Sequence, residues 1–257
     1  MRIVNIIFSI CIISIFFSCQ KEEGGKTLLH QTFSNNSLDM NVWSYDLGNG
    51  CPNLCGWGNN ELQLYARENV SVKNGNLIIK ASKTDSSYYS GKIHTKDKFE
   101  FKYGKVEVRA KLPKGHGLWP AIWMLGNDID ENIWPNCGEI DIMEHVGKEP
   151  HNMFASLHNA SSFGNTVNSK KVEIKNIQED FHVYKMEWTE NHIQFFVDNN
   201  KIYTYSPENK NEKNWPYDKP FYLILNLAIG GNFGGPEVDN SIFPQEFIID
   251  YIKVEEL

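Results

Sequence analysis

Basic residues are a minority in this chain of 257 residues, which has 25 Lys and Arg against 32 Asp and Glu and a formal net charge of -7. Proteins that bind nucleic acid need clustered Lys and Arg to contact phosphates, so this balance argues against a nucleic-acid partner. The sequence also lacks sustained helical periodicity, internal repeats and a coiled-coil pattern. These absences exclude a repeat array and a coiled-coil assembly, and a monomer is the expected state.

Cysteine is also scarce, with 5 in the whole chain. Cys51 and Cys55 flank a short turn-rich segment, and outside the cytoplasm such a pair can close a small disulfide. A zinc site would need further ligands, and no Cys or His partner stands at zinc-finger spacing. We expect Cys137 to be a small packing residue rather than a nucleophile.

The N-terminus carries an apolar run from Ile3 to Phe17 behind a single basic residue. A membrane-spanning helix needs about 20 apolar residues, so the run is typical of a secretion signal instead. A small residue followed by Cys19 resembles the bacterial lipobox. This resemblance implies a lipoprotein signal peptide over 1–18, lipidation at Cys19 and a short tether over 19–26. An ordinary cleaved signal and an N-terminal anchor helix are the alternatives.

The residues "QKEE" after the lipobox cysteine resemble the export signal of surface lipoproteins in the Bacteroidetes. We therefore expect an outer-membrane lipoprotein that contacts the membrane through its lipid anchor only. Both the cell surface and the periplasmic face stay open as its location. Residues 27–257 then form one globular domain.

Strand patterns dominate this domain, since its segments alternate apolar and polar residues or are rich in β-branched and aromatic ones. The clearest segments are 75–82, 104–112, 182–189, 192–198, 201–206, 221–230 and 247–256. Short strands separated by Gly, Pro, Asn and Asp turns predict an all-β fold, a sandwich or jelly roll of two antiparallel sheets with a concave cleft on one face. The pair Asn199-Asn200 predicts a two-residue hairpin turn. Asn226, alone among apolar neighbours, indicates either a groove or a satisfied buried amide.

The segment "CGEIDIMEH" places Glu139, Asp141 and Glu144 between large apolar side chains. On a regular strand the first two acids would share one face, and Glu144 would point to the other. A β-bulge at Ile142-Met143 restores the phase and predicts three acids on one face. Like charges this close raise at least one pKa, and two carboxyls about 5 Å apart are the arrangement of a retaining glycosidase. A solvated acidic strand and a calcium site are the alternatives, and the interleaved apolar residues disfavour the first.

This pattern, Glu-x-Asp-x-x-Glu, resembles glycoside hydrolase family 16 in the bulged form of its laminarinase branch, the endo-β-1,3-glucanases. Further resemblance follows in the same order along the chain, in "GWGNNELQLYARENVSVKNGNLIIKA", "FEFKYGKVEVRAKLPKGHGLWPAIWML", "FASLH", "FYLILNLAIGGNFGG" and "IDYIKV". The resemblance implies a catalytic domain over 27–257 that hydrolyses β-1,3-glucosidic bonds of laminarin-type β-glucans. It also implies that Glu139 is the nucleophile, Asp141 its orienting partner and Glu144 the general acid and base, with no cofactor for catalysis.

The same resemblance implies substrate-binding positions at Trp57, Asn59, Trp119, Trp123, Trp134, His158 and Asn226. Trp119 and Trp123 lie four residues apart and hence on one strand face, where indoles can stack on sugars. The loop of Trp57 and Asn59 resembles the loop over the non-reducing-side subsites, and His158 resembles the histidine on the leaving-group side. Core packing is the alternative for the tryptophans, and a structural role is the alternative for the histidine.

Two further positions follow from the resemblance. Lys92 stands where many laminarinases have Arg, and an ammonium is a point donor that cannot grip two hydroxyls as a guanidinium does. We therefore expect sugar contacts at that subsite to differ. Asp250 and Gly75 match positions that hold a structural calcium in family members, although a lone Asp on an edge strand is equally ordinary.

Other functions compete with laminarin hydrolysis. Within the family, the alternatives are a mixed-linkage β-1,3-1,4-glucanase and a hydrolase of sulfated galactans, and the lack of a basic cluster counts against the latter. From a different class, a non-catalytic β-glucan-binding lipoprotein would need only the aromatic platforms. The three acids favour the enzyme.

Overall fold

The computed structural model describes residues 25–257. The predicted signal peptide over 1–18, the lipidation site Cys19 and the part of the tether over 19–24 lie outside these residues. Within the described range, no helix has the length and apolar character needed to cross a membrane.

Strands make up most of the described chain. Their bounds are β1 Thr27–Gln31, β2 Ser44–Tyr45, β3 Gln63–Tyr65, β4 Val70–Lys73, β5 Asn76–Lys83, β6 Tyr88–Ser90, β7 Lys92–His94, β8 Glu100–Phe101, β9 Gly104–Lys111, β10 Leu118–Gly126, β11 Glu139–Glu144, β12 Asn152–His158, β13 Ser169–Glu173, β14 His182–Trp188, β15 Ile193–Val197, β16 Asn200–Tyr205, β17 Phe221–Ile229 and β18 Gln245–Glu255. One α-helical turn, α1 Gly231–Gly234, and two 3-10 turns, Cys55–Gly58 and Arg67–Asn69, complete the list.

The strands form two large sheets. A 10-stranded sheet runs in the order β16-β15-β14-β9-β18-β5-β6-β3, with β1 beside β18 and β4 beside β5. An 8-stranded sheet runs in the order β13-β12-β11-β10-β17-β7-β2, with β8 beside β17. Neighbouring strands are antiparallel except for the parallel pair β3 and β6. The predicted all-β sandwich of two antiparallel sheets is confirmed.

The period of two along each strand decides which side chains fill the space between the sheets. Val106 and Val108 of β9 and Ile122 and Met124 of β10 are all fully buried, at 0% exposure. Burying an aliphatic side chain of this size contributes about 1.5–3 kcal/mol, so these alternating positions hold the two layers together. The opposite face of the 8-stranded sheet is left free to carry polar groups.

One predicted turn is wrong by a single residue. Val197 pairs with Asn200, so the two turn residues are Asp198 and Asn199. Both have positive φ, of 48° and 65°, as a type I′ hairpin turn requires. Asp and Asn tolerate this left-handed conformation better than other residues with a Cβ, and Asn200 is therefore free to begin β16.

Candidate active site

The predicted β-bulge in β11 is confirmed by its pairing with both neighbours. On β10, Trp123 lies opposite Asp141 while Ile122 lies opposite Met143, so Ile142 has no partner on that strand. The register to β12 shifts between Asp141 and Glu144 as well. Ile142 and Met143 are both buried, at 1% and 0% exposure. The extra residue thus goes into the core, and Glu144 turns to the same face as Asp141.

Contacts around the acids show this common face. The Trp119 indole donates a hydrogen bond of 3.0 Å to Oε1 of Glu144. At the other end of the group, Nε2 of His158 lies 3.1 Å from Oδ2 of Asp141 and 3.7 Å from Oε1 of Glu139. Strand pairing places His158 opposite Glu139. Sequence analysis therefore identified four side chains that the fold brings into one group.

Burial and mutual repulsion make these carboxyls hard to ionise. Burial, followed by the charge of Asp141, raises the pKa of Glu139 to about 8, although nearby His158 acts in the opposite direction. Burial also raises the pKa of Asp141. The pKa of Glu144 is raised well above its usual range by burial first and by the charge of Asp141 second. Such a group can keep one carboxyl protonated near neutral pH while another is ionised.

A metal ion is a poor alternative for this cluster. One ligand atom each from Glu139, Asp141 and His158 lie within 4.8 Å of one another. Calcium prefers six to eight oxygen ligands and does not favour an imidazole nitrogen. The mixed nitrogen and oxygen set, in which Asp141 is buried, therefore fits proton transfer better than a calcium site.

Two tryptophans of β10 share the sheet face of the acids, as the spacing of four residues predicts. The indole of Trp119 contacts Glu144, and the indole of Trp123 donates a hydrogen bond of 2.7 Å to Oδ1 of Asn226. Trp119 also meets the ring of Phe233 edge to face, with centroids 5.5 Å apart. Each indole is held by a polar contact at its N–H, and this fixes the plane of the ring.

Asn226 belongs to a buried polar network that reaches the loop of Asn59. Its amide donates to the Tyr65 hydroxyl at 3.0 Å, and that hydroxyl donates to Oε2 of Glu61 at 3.0 Å. Gln63 donates to the same carboxyl at 2.6 Å, and Asn59 donates to its Oε1 at 3.4 Å. Burial raises the pKa of Glu61, and the Gln63 bond partly opposes this. Sequence analysis missed Glu61, although its spacing of two and four residues from Gln63 and Tyr65 indicates a shared face.

Trp57 is held by contacts within the protein. Its indole donates to the Gly48 carbonyl at 3.2 Å, and its ring centroid lies 5.3 Å from that of Tyr65. Nζ of Lys92 stands 4.1 Å from the centre of the Trp57 ring and 3.1 Å from Oδ2 of Asp46. These contacts pack the loop and cover part of the indole, so a sugar contact of Trp57 stays a prediction.

Trp134 differs from the other tryptophans because it is 39% exposed. It lies in the segment that leads into β11, and its ring centroid is 6.0 Å from that of His158. It is therefore placed beside the acids as the sequence predicts.

Cysteine positions agree with the sequence analysis. Cys51 and Cys55 form a disulfide, which closes the loop just before Trp57. Cys137 is buried and free.

The predicted calcium position carries an ion pair. Nη1 of Arg109 lies 2.5 Å from Oδ2 of Asp250, whereas Gly75 occupies the turn between β4 and β5 with a φ of 74°. A calcium ion at Asp250 would have to compete with this guanidinium. The calcium site at Asp250 and Gly75 therefore stays a prediction that the ion pair does not favour.

Comparison with known proteins identifies the family. The profile of Glycosyl hydrolases family 16 matches residues 58–252. The chain belongs to glycosyl hydrolases family 16. This confirms the family expected from "GEIDIMEH", and it makes the chain a member of a family of glycoside hydrolases.

Family 16 relatives cover most of the chain. The crystal structure of laminarinase from Flavobacterium sp. UMI-01 is 55% identical, with a TM-score of 0.88, and the match covers 90% of this chain and 100% of that one. Glucan endo-1,3-beta-glucosidase A1 of Niallia circulans is 40% identical over 90% of this chain, which spans 38% of that relative's length. Beta-glucanase of Rhodothermus marinus is 39% identical over 84% of this chain and 79% of its own.

Proposed function

We propose that this protein is a retaining endo-glycosidase that hydrolyses β-1,3-glucosidic bonds of laminarin-type β-glucans. The observation that carries the proposal is the bulge at Ile142, which turns Glu144 to the face of Glu139 and Asp141. Similarity to a laminarinase and to an endo-1,3-beta-glucosidase supports the choice of substrate.

In the first step, a carboxylate oxygen of Glu139 attacks the anomeric carbon of the bound sugar. The bond from this carbon to the glycosidic oxygen breaks, and Glu144 gives its proton to that oxygen as the shortened chain leaves. In the second step, Glu144 takes a proton from water while the water oxygen attacks the same carbon. The ester bond to Glu139 breaks, and the configuration at the anomeric carbon is retained.

Buried surroundings prepare these protonation states. Burial raises the pKa of Glu144, and a carboxyl with a raised pKa can donate a proton near neutral pH. Oδ2 of Asp141 lies 3.1 Å from Nε2 of His158. We assign to Asp141 a proton that it shares with Glu139, and this hydrogen bond orients the nucleophile. When Glu139 is ionised, repulsion keeps its two neighbours protonated.

Aromatic and amide groups hold the glucan over these acids. Trp119 and Trp123 offer indole faces to the C–H faces of glucose, while Asn59 and Asn226 offer amides to its hydroxyls. Lys92, whose ammonium contacts Asp46 and the Trp57 ring, is a fixed point donor at the side of β7. This arrangement distinguishes its subsite from one that carries an Arg.

Non-catalytic β-glucan binding is the alternative of another class. A receptor would use the aromatic groups and would gain nothing from three close acids, of which Asp141 and Glu144 are buried and cost folding free energy when ionised. The structure's concentration of acids on one face therefore favours hydrolysis.

Sugar release from laminarin, lichenan and agarose by the intact protein, Glu139→Gln and Glu144→Gln tests the proposal. We expect the intact protein to release oligosaccharides fastest from laminarin and both variants to lose at least about a thousandfold in kcat. A preference for lichenan would support the mixed-linkage alternative. No release by the intact protein, with retained binding to laminarin, would support the receptor.

We also propose that the protein is a lipoprotein of the outer membrane, anchored through Cys19. The support is the sequence around the lipobox. Mass spectrometry of the N-terminal peptide after expression in a Gram-negative host would detect the acyl groups, and Cys19→Ala should lose them. An unlipidated N-terminus in the unchanged protein would contradict the assignment.

A further inference from the structure

We propose that Phe163 and Trp134 together form an aromatic platform that binds glucosyl units on the reducing side of the cleaved bond. This inference rests on the proposed function and adds an acceptor-side subsite to it. Phe163 was not among the candidate residues of the sequence analysis.

Phe163 and Trp134 form an exposed aromatic pair. Phe163 is 52% exposed and Trp134 is 39% exposed. Their ring centroids are 5.4 Å apart at an interplanar angle of 80°, a T-shaped contact. Neither ring belongs to the hydrophobic core, because the two rings pack on each other and remain in solvent. Their exposed faces are therefore available to a ligand.

The pair continues the catalytic cleft. Trp134 lies in the segment that precedes β11, and its ring centroid is 6.0 Å from that of His158. Phe163 lies in the loop between β12 and β13, directly after His158. Because Glu139 and His158 are opposite each other in β11 and β12, both loops leave the sheet at the same end. The aromatic pair therefore lies at the same end of β11 and β12 as Glu139 and His158.

Sheet order decides which side of the cleaved bond this is. Strand β7, which carries Lys92 beneath the Trp57 loop, lies on one side of β11, whereas β12 and β13 lie on the other. The Trp57 loop resembles the family loop over the non-reducing-side subsites. Phe163 lies between β12 and β13, and the Trp134 ring packs against His158 of β12 and against Phe163, so the pair lies toward the opposite side. That side then receives the sugars that leave with the glycosidic oxygen.

The loop that presents Phe163 is anchored by buried hydrogen bonds. Asn159, at 0% exposure, accepts bonds through Oδ1 from the Ser161 hydroxyl at 2.6 Å and the Ser162 amide at 3.2 Å. Its own amide donates to the hydroxyls of Tyr205 and Tyr217, each at 3.3 Å. These contacts tie the start of the loop to the interior, so Phe163 is displayed from an anchored base.

The far side of this loop is fastened as well. The Ser162 hydroxyl accepts bonds from the Thr166 hydroxyl at 3.1 Å and from the Val167 amide at 2.9 Å. An aromatic ring on such a pre-formed loop loses little conformational entropy when a ligand binds. Glucose presents flat C–H faces that match an aromatic ring, and these faces recur along a β-glucan.

Two substrates separate this role from catalysis. Laminarin occupies the subsites on both sides of the cleaved bond. β-Laminaribiosyl fluoride occupies only the non-reducing side, and its leaving group is fluoride. We expect Phe163→Ala to lower kcat/KM on laminarin about threefold to tenfold, the range of one aromatic contact. On the fluoride its kcat/KM should equal that of the intact protein. Phe163→Tyr should restore laminarin cleavage, and Val167→Ala, an exposed residue of the same loop, should change neither rate.

Affinity electrophoresis in laminarin provides a second measurement that does not depend on turnover. Phe163→Ala should migrate faster than the intact protein, and Val167→Ala should not. Equal losses on both substrates would show a structural role for Phe163, and unchanged laminarin cleavage and binding would show no role, so each result would overturn the platform. If the intact protein binds laminarin without cleaving it, hydrolysis fails while the electrophoretic comparison still decides the platform.

Discussion

The Trp119 indole donates a hydrogen bond of 3.0 Å to Glu144, the residue proposed to be the general acid and base. The two residues reach this contact from adjacent strands, because the bulge in β11 turns Glu144 toward the indole. This bond lowers the pKa of Glu144, against the larger effect of burial that raises it. Trp119 therefore has a role in acid chemistry in addition to its proposed contact with sugar.

Replacing Trp119 by Phe keeps an aromatic ring and removes the donor. Since the lost bond stabilised ionised Glu144, the pKa of this acid should rise, and the alkaline limb of kcat/KM should move to higher pH. We also expect kcat to fall about tenfold to a hundredfold, because a hydrogen bond to a charged group is worth about 1.5–3 kcal/mol. The measurement is a pH profile on laminarin.

Trp123→Phe is the matched control for this profile. Its indole bonds to Asn226 rather than to an acid, so the alkaline limb should keep its position even if KM increases. If the alkaline limb of kcat/KM shifts equally in both variants, Trp119 does not set the pKa of Glu144.

Glu144→Gln should stabilise the fold in a pH-dependent way. The pKa of Glu144 is raised in the folded state, so the native protein binds this proton more tightly than the unfolded chain does. Stability from the protonated group is present below the unfolded pKa, about 4.5, and is lost as pH rises toward the folded pKa. The free energy of unfolding of the variant should therefore exceed that of the intact protein by on the order of 1–3 kcal/mol at pH 8 and should equal it at pH 4.

Thermal unfolding at these two pH values measures the difference, which should amount to about 2–12 °C in Tm at the higher pH for a domain of this size. Glu246→Gln, at an exposed position on β18, is the control and should leave Tm unchanged at both. A gain of equal size at pH 4 would argue that relief of charge burial is not the cause.

Glu61→Gln should weaken substrate binding more than catalysis. The carboxyl of Glu61 accepts bonds from Gln63, Tyr65 and Asn59, and a neutral amide cannot accept all three. Tyr65 in turn positions Asn226, so we expect KM on laminarin to rise about threefold to tenfold with kcat nearly unchanged. The exposed neighbour Glu68 offers the comparison: Glu68→Gln should match the intact protein. A drop in kcat with constant KM would place Glu61 in the chemical step instead.

Calcium at Asp250 has a separate test. If the ion binds, it must displace the Arg109 guanidinium, so added calcium should raise Tm and Arg109→Gln should increase the gain. Asp250→Asn should abolish the rise in Tm caused by calcium, and EDTA should reverse this rise in the intact protein. Identical Tm values with calcium and with EDTA in both the intact protein and Arg109→Gln would exclude the site.

Sequence patterns predict the sandwich and the acid cluster because both depend on local periodicity. The unequal spacing of Glu139, Asp141 and Glu144 already requires a bulge if the acids are to act together. The sequence pattern predicts the turn between β15 and β16 one residue too late. Three consecutive residues, Asp198 to Asn200, all suit a turn, and only strand pairing chooses among them.

What the sequence by itself determined is the seven strands with the clearest patterns, the bulged acid segment and the family, since each is specified by neighbouring residues whose spacing has a direct physical meaning. Tertiary structure alone decided which distant groups meet. Asn226 and Tyr65 are 161 positions apart yet hydrogen-bonded, and Phe163 meets Trp134 across two loops. Side chains from separate strands share an environment only after the sheets have closed, so their pKa values, ring contacts and exposed faces follow from packing that no local pattern specifies.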